Sequence, residues 1–353
     1  MFRKKHSLIK GTLILTSAGL ASRVLGFFFR IFLSHTFGEE QVGLYQLIFP
    51  FYALCLSLST SGLETAISRS VSRFRSLGRT QDGKLIFQTG LILSVMISLL
   101  CTFLVQKNSV FLANRFLGDP RCATLLYLIV LALPAASVHS CICGYYYGLQ
   151  NTSVPAISQL IEQSLRISSV FILYFIFVRK GIRPEIRLAV SGIIFGELAA
   201  AGYSLFSLKK RNFDTGSPYI LSISKSCSEL LRLSVPLTVN RTAITFLQGI
   251  EAASIPVCLE LASHNASEAL SIYGVLTGMA LPCILFPCAL TNSISLLLIP
   301  AVAQKQAENS SKETLLLIKK AAGGCFSLGL LCSVFFLLTG SFLGNFLFRS
   351  TLA

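Results

Sequence analysis

The protein has 353 residues, of which 53% are hydrophobic and only 13% charged, whereas a soluble domain carries about 25% charged residues. Too little polar surface exists to cover soluble cores of this size, so water is excluded as the main solvent. The net charge of +15 raises nucleic acid as a partner, but the basic residues cluster between apolar stretches. That distribution fits lipid headgroups and argues against nucleic acid.

The N-terminus, Met1-Phe-Arg-Lys-Lys-His, resembles a signal peptide. No small-x-small cleavage site follows and Arg23 and Arg30 interrupt the apolar stretch, so it reads as a retained first helix. A spanning helix needs about 20 mostly apolar residues, and about nine such segments follow by that criterion: 8 to 35, 42 to 64, 85 to 106, 122 to 148, 154 to 178, 187 to 208, 230 to 257, 270 to 299 and 315 to 345. The expected fold is an all-α polytopic membrane helix bundle. With the N-terminus in the cytoplasm, eighteen basic residues lie inside and eight outside, as the positive-inside rule requires.

In the first segment Arg23 and Arg30 are two helical turns apart and share one face. Placing arginine at the centre of a lone helix costs about 2.5–3.5 kcal/mol, so that face is expected to meet water, an acid or an anionic ligand. Glu64 is read as ending the second segment, near Arg69. Tyr145, Tyr146 and Tyr147 close the fourth and suggest an interfacial aromatic belt. On the fifth, Glu162 and Arg166 have the i,i+4 spacing of an ion pair, structural or functional. Glu197 stands alone on the sixth, facing a hydroxyl of another helix. Arg241 follows Pro236 and Asn240 on the seventh with no acid within one turn, and Glu251 lies about three turns on. Pro134, Pro236, Pro256, Pro282 and Pro287 are tolerated as kinks around a cavity.

The eleven cysteines lie mostly in apolar runs as small hydrophobes. Cys141-Ile-Cys143 lacks CxxC spacing and the four histidines are scattered, so no metal site is expected. No phosphate loop, Ser/His/Asp grouping or HExxH motif occurs, and the protein is not expected to be an enzyme or to need a cofactor. The second half weakly echoes the first: Gly43-Leu-Tyr45 opens one apolar run and Ser271-Ile-Tyr273-Gly274 another. Duplicated halves are how many transporters build a central site.

The run Ser22-Arg23-Val-Leu-Gly26-Phe-Phe-Phe-Arg30, then Phe37-Gly38-Glu39-Glu40-Gln-Val-Gly43-Leu44-Tyr45, resembles the opening of the stage V sporulation protein B group. Ser271-Ile-Tyr273-Gly274-Val-Leu-Thr277-Gly278-Met279-Ala280-Leu281-Pro282 is similar to the matching stretch in that group's second half. The group belongs to the multidrug/oligosaccharidyl-lipid/polysaccharide (MOP) exporter superfamily, with peptidoglycan lipid flippases and MATE antiporters as relatives. The resemblance implies a MATE-like, two-lobed fold of fourteen helices, of which this chain holds the first lobe (1–210), a cytoplasmic linker (211–229) and a partial second lobe (230–353).

It also implies a flippase that moves a lipid-linked saccharide pyrophosphate, such as a peptidoglycan or polysaccharide precursor, across the cell membrane by alternating access in sporulation. Arg23, Arg30 and Arg241 fall where that family's cavity arginines would, with Glu162, Arg166 and Glu251 as further candidates. Membrane lipids and a coupling ion are the other expected partners. A MATE-like cation antiporter, which would place acids at its centre, and a truncated, non-transporting fragment are the alternatives.

Overall fold

A computed structural model describes residues 2–210, 221–262, 265–285 and 311–348, with isolated positions between 287 and 302; side chains are described from Ile14 onward. Among the described residues nine helices are long and apolar enough to span a membrane: α1 (Ile14–Phe37), α2 (Glu39–Ser76), α3 (Thr80–Lys107), α4 (Cys122–Gly148), α5 (Ser153–Arg179), α6 (Arg187–Lys209), α7 (Ile223–Leu261), α8 (Ala266–Ile284) and α9 (Lys312–Phe348). The described residues form no strand. All eleven cysteines are free.

Helix boundaries follow backbone chemistry as much as hydropathy. Gly38, at φ 80°, separates α1 from α2, and Gly78, at φ 72°, separates α2 from α3; these left-handed conformations suit glycine. The second helix runs twelve residues beyond the expected end at 64, to Ser76, through a π turn at Ser57–Ser61. The extension is amphipathic: Ala66, Ile67, Ser70, Val71 and Phe74 are buried while Arg69, Arg73 and Arg75 are exposed. Glu64 is therefore inside a helix and not at its end. Helix α7 starts at Ile223, within the stretch read as linker; 211–220, and most of 285–299 after α8, lie outside the described residues.

In lipid no hydrophobic force draws helices together, so close packing depends on small residues at the crossings. Helix α2 is the spine of this arrangement. A Cβ on Gly43 would fall on the backbone of Leu270 in α8, and one on Gly274 would meet Glu39 and Gly43 in return. Gly62 meets Ser234 and Thr238 of α7, while Gly144 and Gly148 of α4 rest on Glu64 and Ser68. The two echoing segments, around Gly43 and Gly274, thus clasp each other directly.

Two apolar clusters fill the spaces between helices. The larger joins Phe29 and Leu33 of α1, Tyr45 to Cys55 of α2, Leu125 to Leu133 of α4 and Leu188 to Ile193 of α6. The smaller holds Ile67 and Phe74 of α2, Phe87 of α3, Leu230 of α7, and Tyr145 and Tyr146 of α4. Tyr145 and Tyr146 are thus core residues and not an interfacial belt, because Gly144 and Gly148 draw their helix against α2. Conversely Met96, Phe103, Phe175, Phe206 and Leu337 are exposed, as side chains bathed in lipid are.

Substituting Gly43→Val forces the α2–α8 crossing apart and is expected to lower the unfolding midpoint in detergent by about 1–3 kcal/mol of stability. Gly202→Ala, where nothing lies within 4 Å of the added carbon, is expected to leave it unchanged or raise it slightly. Equal midpoints for the two variants would show that the crossing is not tight.

Candidate functional site

Helices α1, α2, α5 and α8 part around a cavity of about 710 Å³. Each contributes one face. Arg23 and Arg30 of α1 point in with Gly19, Ser22, Gly26 and Phe27 between and beside them; Gln159, Gln163 and Arg166 form an i, i+4, i+7 stripe on α5; Tyr45, Gln46 and Phe49 come from α2, and Thr277, Leu281 and Leu285 from α8. A Cβ on Gly26 would stand 3.3 Å from the Gln163 amide nitrogen, so this glycine lets the amide reach the cavity. The Gly43–Gly274 crossing lies about a turn or less along the helices from Tyr45, Gln46 and Thr277 of the lining.

The described lining carries three arginines, three glutamines and no carboxylate. Arg23 is exposed to the cavity, and Arg30 and Arg166 are partly buried. The Arg166 guanidinium donates to Glu162, one turn back, and both side chains are less than one fifth exposed, at 19% and 18%. Gly192 and Gly196 of α6 press on the α5 backbone at Arg166 and Glu162, which fixes the position of the pair. The spacing that suggested an ion pair does form one, and Arg166 serves the cavity as well.

Behind the pair lies a polar cluster that sequence spacing could not reveal. His139 of α4 places Nδ1 3.6 Å from Oε2 of Glu197 on α6, so the partner of Glu197 is a histidine and not a hydroxyl. Donor atoms of His139, Glu162 and Glu197 all lie within 4.8 Å of one another, a set able to hold a cation where no metal site was expected. Its members come from three helices and share only their depth. A lone histidine in Ser137-Val-His139-Ser140 and a lone glutamate carry no local signal.

Arg241 and Glu251 are not brought into the cavity. Both are exposed on α7, which packs on α2 and α3. Thr242, next to Arg241, bonds Ser57 at 3.0 Å, and the charge of Arg241 acts on Glu64 of α2. Outside the spans, Arg121 binds Asp119 at 2.7 Å and Glu40 at 2.8 Å; these acids hold its guanidinium charged more firmly than usual and tie the α3–α4 connection to α2.

The polysaccharide biosynthesis protein family matches residues 8–306. The chain is 32% identical over 304 residues to stage V sporulation protein B of Bacillus subtilis, covering 85% of this chain and 59% of that protein. It is 25% identical to the lipid II flippase MurJ of the same organism, over 86% of this chain and 59% of that one. The chain therefore spans about three fifths of the length of these relatives. Among solved structures, an inward-facing multidrug resistance MATE family transporter of the MOP superfamily superposes with a TM-score of 0.64 at 14% identity, covering 95% of this chain and 73% of that one. A MOP superfamily transporter from Pyrococcus furiosus, described as having a binding pocket of reverse polarity, gives 0.61 at 13%, over 98% and 74%. These likenesses show the fold.

Removing one member of a buried ion pair strands the other, so Arg166→Ala is expected to lose about 3–5 kcal/mol of stability. Adding Glu162→Gln is expected to recover part of that loss, and Arg23→Ala, on the open wall, to leave the midpoint unchanged. Equilibrium unfolding in detergent measures all three; equal losses for Arg23→Ala and Arg166→Ala would contradict the assignment.

Proposed function

The chain belongs to the polysaccharide biosynthesis protein family, and on that premise we propose that its cavity receives the pyrophosphate headgroup of a lipid-linked saccharide for passage across the cell membrane. The observation that carries this reading is the sign of the cavity: Arg23, Arg30 and Arg166 face it and its described lining holds no carboxylate. A diphosphate cannot enter about 30 Å of hydrocarbon unaided. Guanidinium forks replace its hydration with paired, charge-assisted hydrogen bonds, and Gln46, Gln159 and Gln163 supply neutral donors and acceptors for sugar hydroxyls. The volume of about 710 Å³ falls in the range of pockets for drug-sized ligands, enough for a headgroup whose lipid tail stays in the bilayer.

In this reading residues 1–210 form a first lobe, 230–353 part of a second, and 211–229 the linker between them. With the N-terminus in the cytoplasm, the Gly43–Gly274 crossing is the outer gate and the cavity is loaded from inside. Transport by alternating access requires the α2–α8 contact to open as the lobes rock. A cation antiporter would need acids in the cavity wall; among the described residues the lining holds none, and Glu162, paired with Arg166, is not part of it. Arg241, exposed at the α7 surface, is assigned to the path between lobes and not to the headgroup contact.

The test is binding of a polyprenyl pyrophosphate to the purified chain in nanodiscs. Each charged hydrogen bond contributes about 1.5–3 kcal/mol, so Arg23→Ala and Arg30→Ala are each expected to weaken binding by more than tenfold. Arg232→Ala, exposed on α7, is expected to leave it unchanged. Unaltered affinity in both cavity variants, or tighter binding of an organic cation than of the pyrophosphate, would overturn the reading.

A further inference from the structure

Four charged or titratable side chains meet at the wall between the cavity and the core: His139 on α4, Glu162 and Arg166 on α5, and Glu197 on α6. Two carboxylates face one guanidinium, so with a neutral imidazole the group carries one uncompensated negative charge. Glu197 is only 8% exposed, and its Oε2 has no hydrogen-bond partner within normal distance. The Tyr52 hydroxyl on α2, in a side chain only 5% exposed, is also unpartnered and lies within electrostatic range of Glu197, Arg166 and Glu162. Buried polar groups of this kind are satisfied by a water, a ligand or a proton.

The charge balance of the cluster and its hydrogen bonds favour a proton. The Ser158 hydroxyl donates to the Pro155 carbonyl at 2.9 Å, and a carbonyl can only accept. With its hydroxyl given to Pro155, Ser158 Oγ, 2.9 Å from His139 Nε2, accepts from that nitrogen and a hydrogen sits on Nε2; if the hydroxyl turns to donate to Nε2 instead, the ring hydrogen sits on Nδ1, facing Glu197. In the first arrangement a neutral ring turns its Nδ1 lone pair toward the Glu197 carboxylate 3.6 Å away, two acceptors face to face; in the second the excess negative charge of the cluster still remains. One added proton removes the repulsion and the excess charge alike. A divalent metal ion would overshoot by one charge beside Arg166, and hard monovalent cations prefer oxygen to imidazole nitrogen.

We infer that His139 and Glu197 form a site for a single proton, whose occupancy sets how strongly Arg166 is held by the acids behind it and hence how strongly Arg166 serves an anion in the cavity. This rests on the pyrophosphate reading only in its second half. With the proton bound, the imidazolium compensates Glu197, and Arg166 answers to Glu162 alone. With the proton gone, two carboxylates compete with the headgroup for one guanidinium. Other groups facing the site are Tyr45, Tyr52, Cys55 and Glu64 from α2, Cys143 from α4 and, through Tyr45, Arg30 from α1. By linkage, whatever favours the proton favours the anion and the reverse. Affinity is therefore present at low pH and lost as pH rises through the point where the proton leaves.

The experiment compares the wild-type chain with Glu197→Gln and His139→Asn from about pH 5 to about pH 10, reading thermal midpoint in detergent and polyprenyl pyrophosphate affinity in nanodiscs. For the wild type, the dissociation constant is expected to rise with pH by up to about tenfold per unit, the limit for one proton, and the midpoint to fall over the same interval. Glu197→Gln removes the excess charge, so both curves should flatten at the low-pH values. His139→Asn should displace both transitions to lower pH, and it carries the test if Glu197→Gln does not accumulate. Parallel midpoint curves for wild type and variants overturn the proton site whatever the lipid does. If they diverge but no pyrophosphate binds at any pH, the proton site stands and the cavity reading falls. Stabilisation of the wild type by zinc or manganese ions, absent in Glu197→Gln, would overturn the proton in favour of a metal.

Discussion

A guanidinium at the centre of a bilayer costs about 2.5–3.5 kcal/mol even on lenient scales, and the architecture around α1 and α5 follows from how that cost is met. Arg23 and Arg30 are relieved by opening onto a cavity. Arg166 is relieved by Glu162, and it also reaches the same cavity. Because one side chain does both, the cavity and the buried cluster are not independent features. A change in the charge behind Arg166 is felt in front of it.

Glycine contacts hold this arrangement in place. Gly192 and Gly196 set α6 against the backbone of α5 at the two members of the ion pair, and Gly26 admits the Gln163 amide beside α1. The same device at Gly43 and Gly274 brings α2 and α8 into contact within about a turn of the cavity lining. Backbone-on-backbone contacts give little room for gradual adjustment, so such a crossing is either closed or parted. In the proposed reading, a contact of this kind is what would have to part for the cavity to change sides.

Much of this was legible along the chain. The number of spanning helices, the common face of Arg23 and Arg30, and the pairing of Glu162 with Arg166 all follow from periods of 3.6 residues and runs of apolar side chains. Other features were not. Tyr145 and Tyr146 look like a belt because they end an apolar run, yet Gly144 and Gly148 bury them. Helix α2 outlasts its hydropathy because an amphipathic stretch needs only half its surface covered. Arg241 reads from the sequence as a cavity residue with no acid within a turn, but isolation on a helix says nothing about which way that helix is turned.

The sequence by itself determined the solvent, the helices, and which charges would be costly, because those depend on composition and on neighbours within a turn or two. Tertiary structure decided which charges share a space. It put Arg166 in the cavity, left Arg241 on the α7 surface, and joined His139 to Glu197 across two helices. The physical reason is that a helix fixes the angle between its own side chains but not its rotation or depth relative to the next. In a membrane those are set by where small residues let two backbones touch.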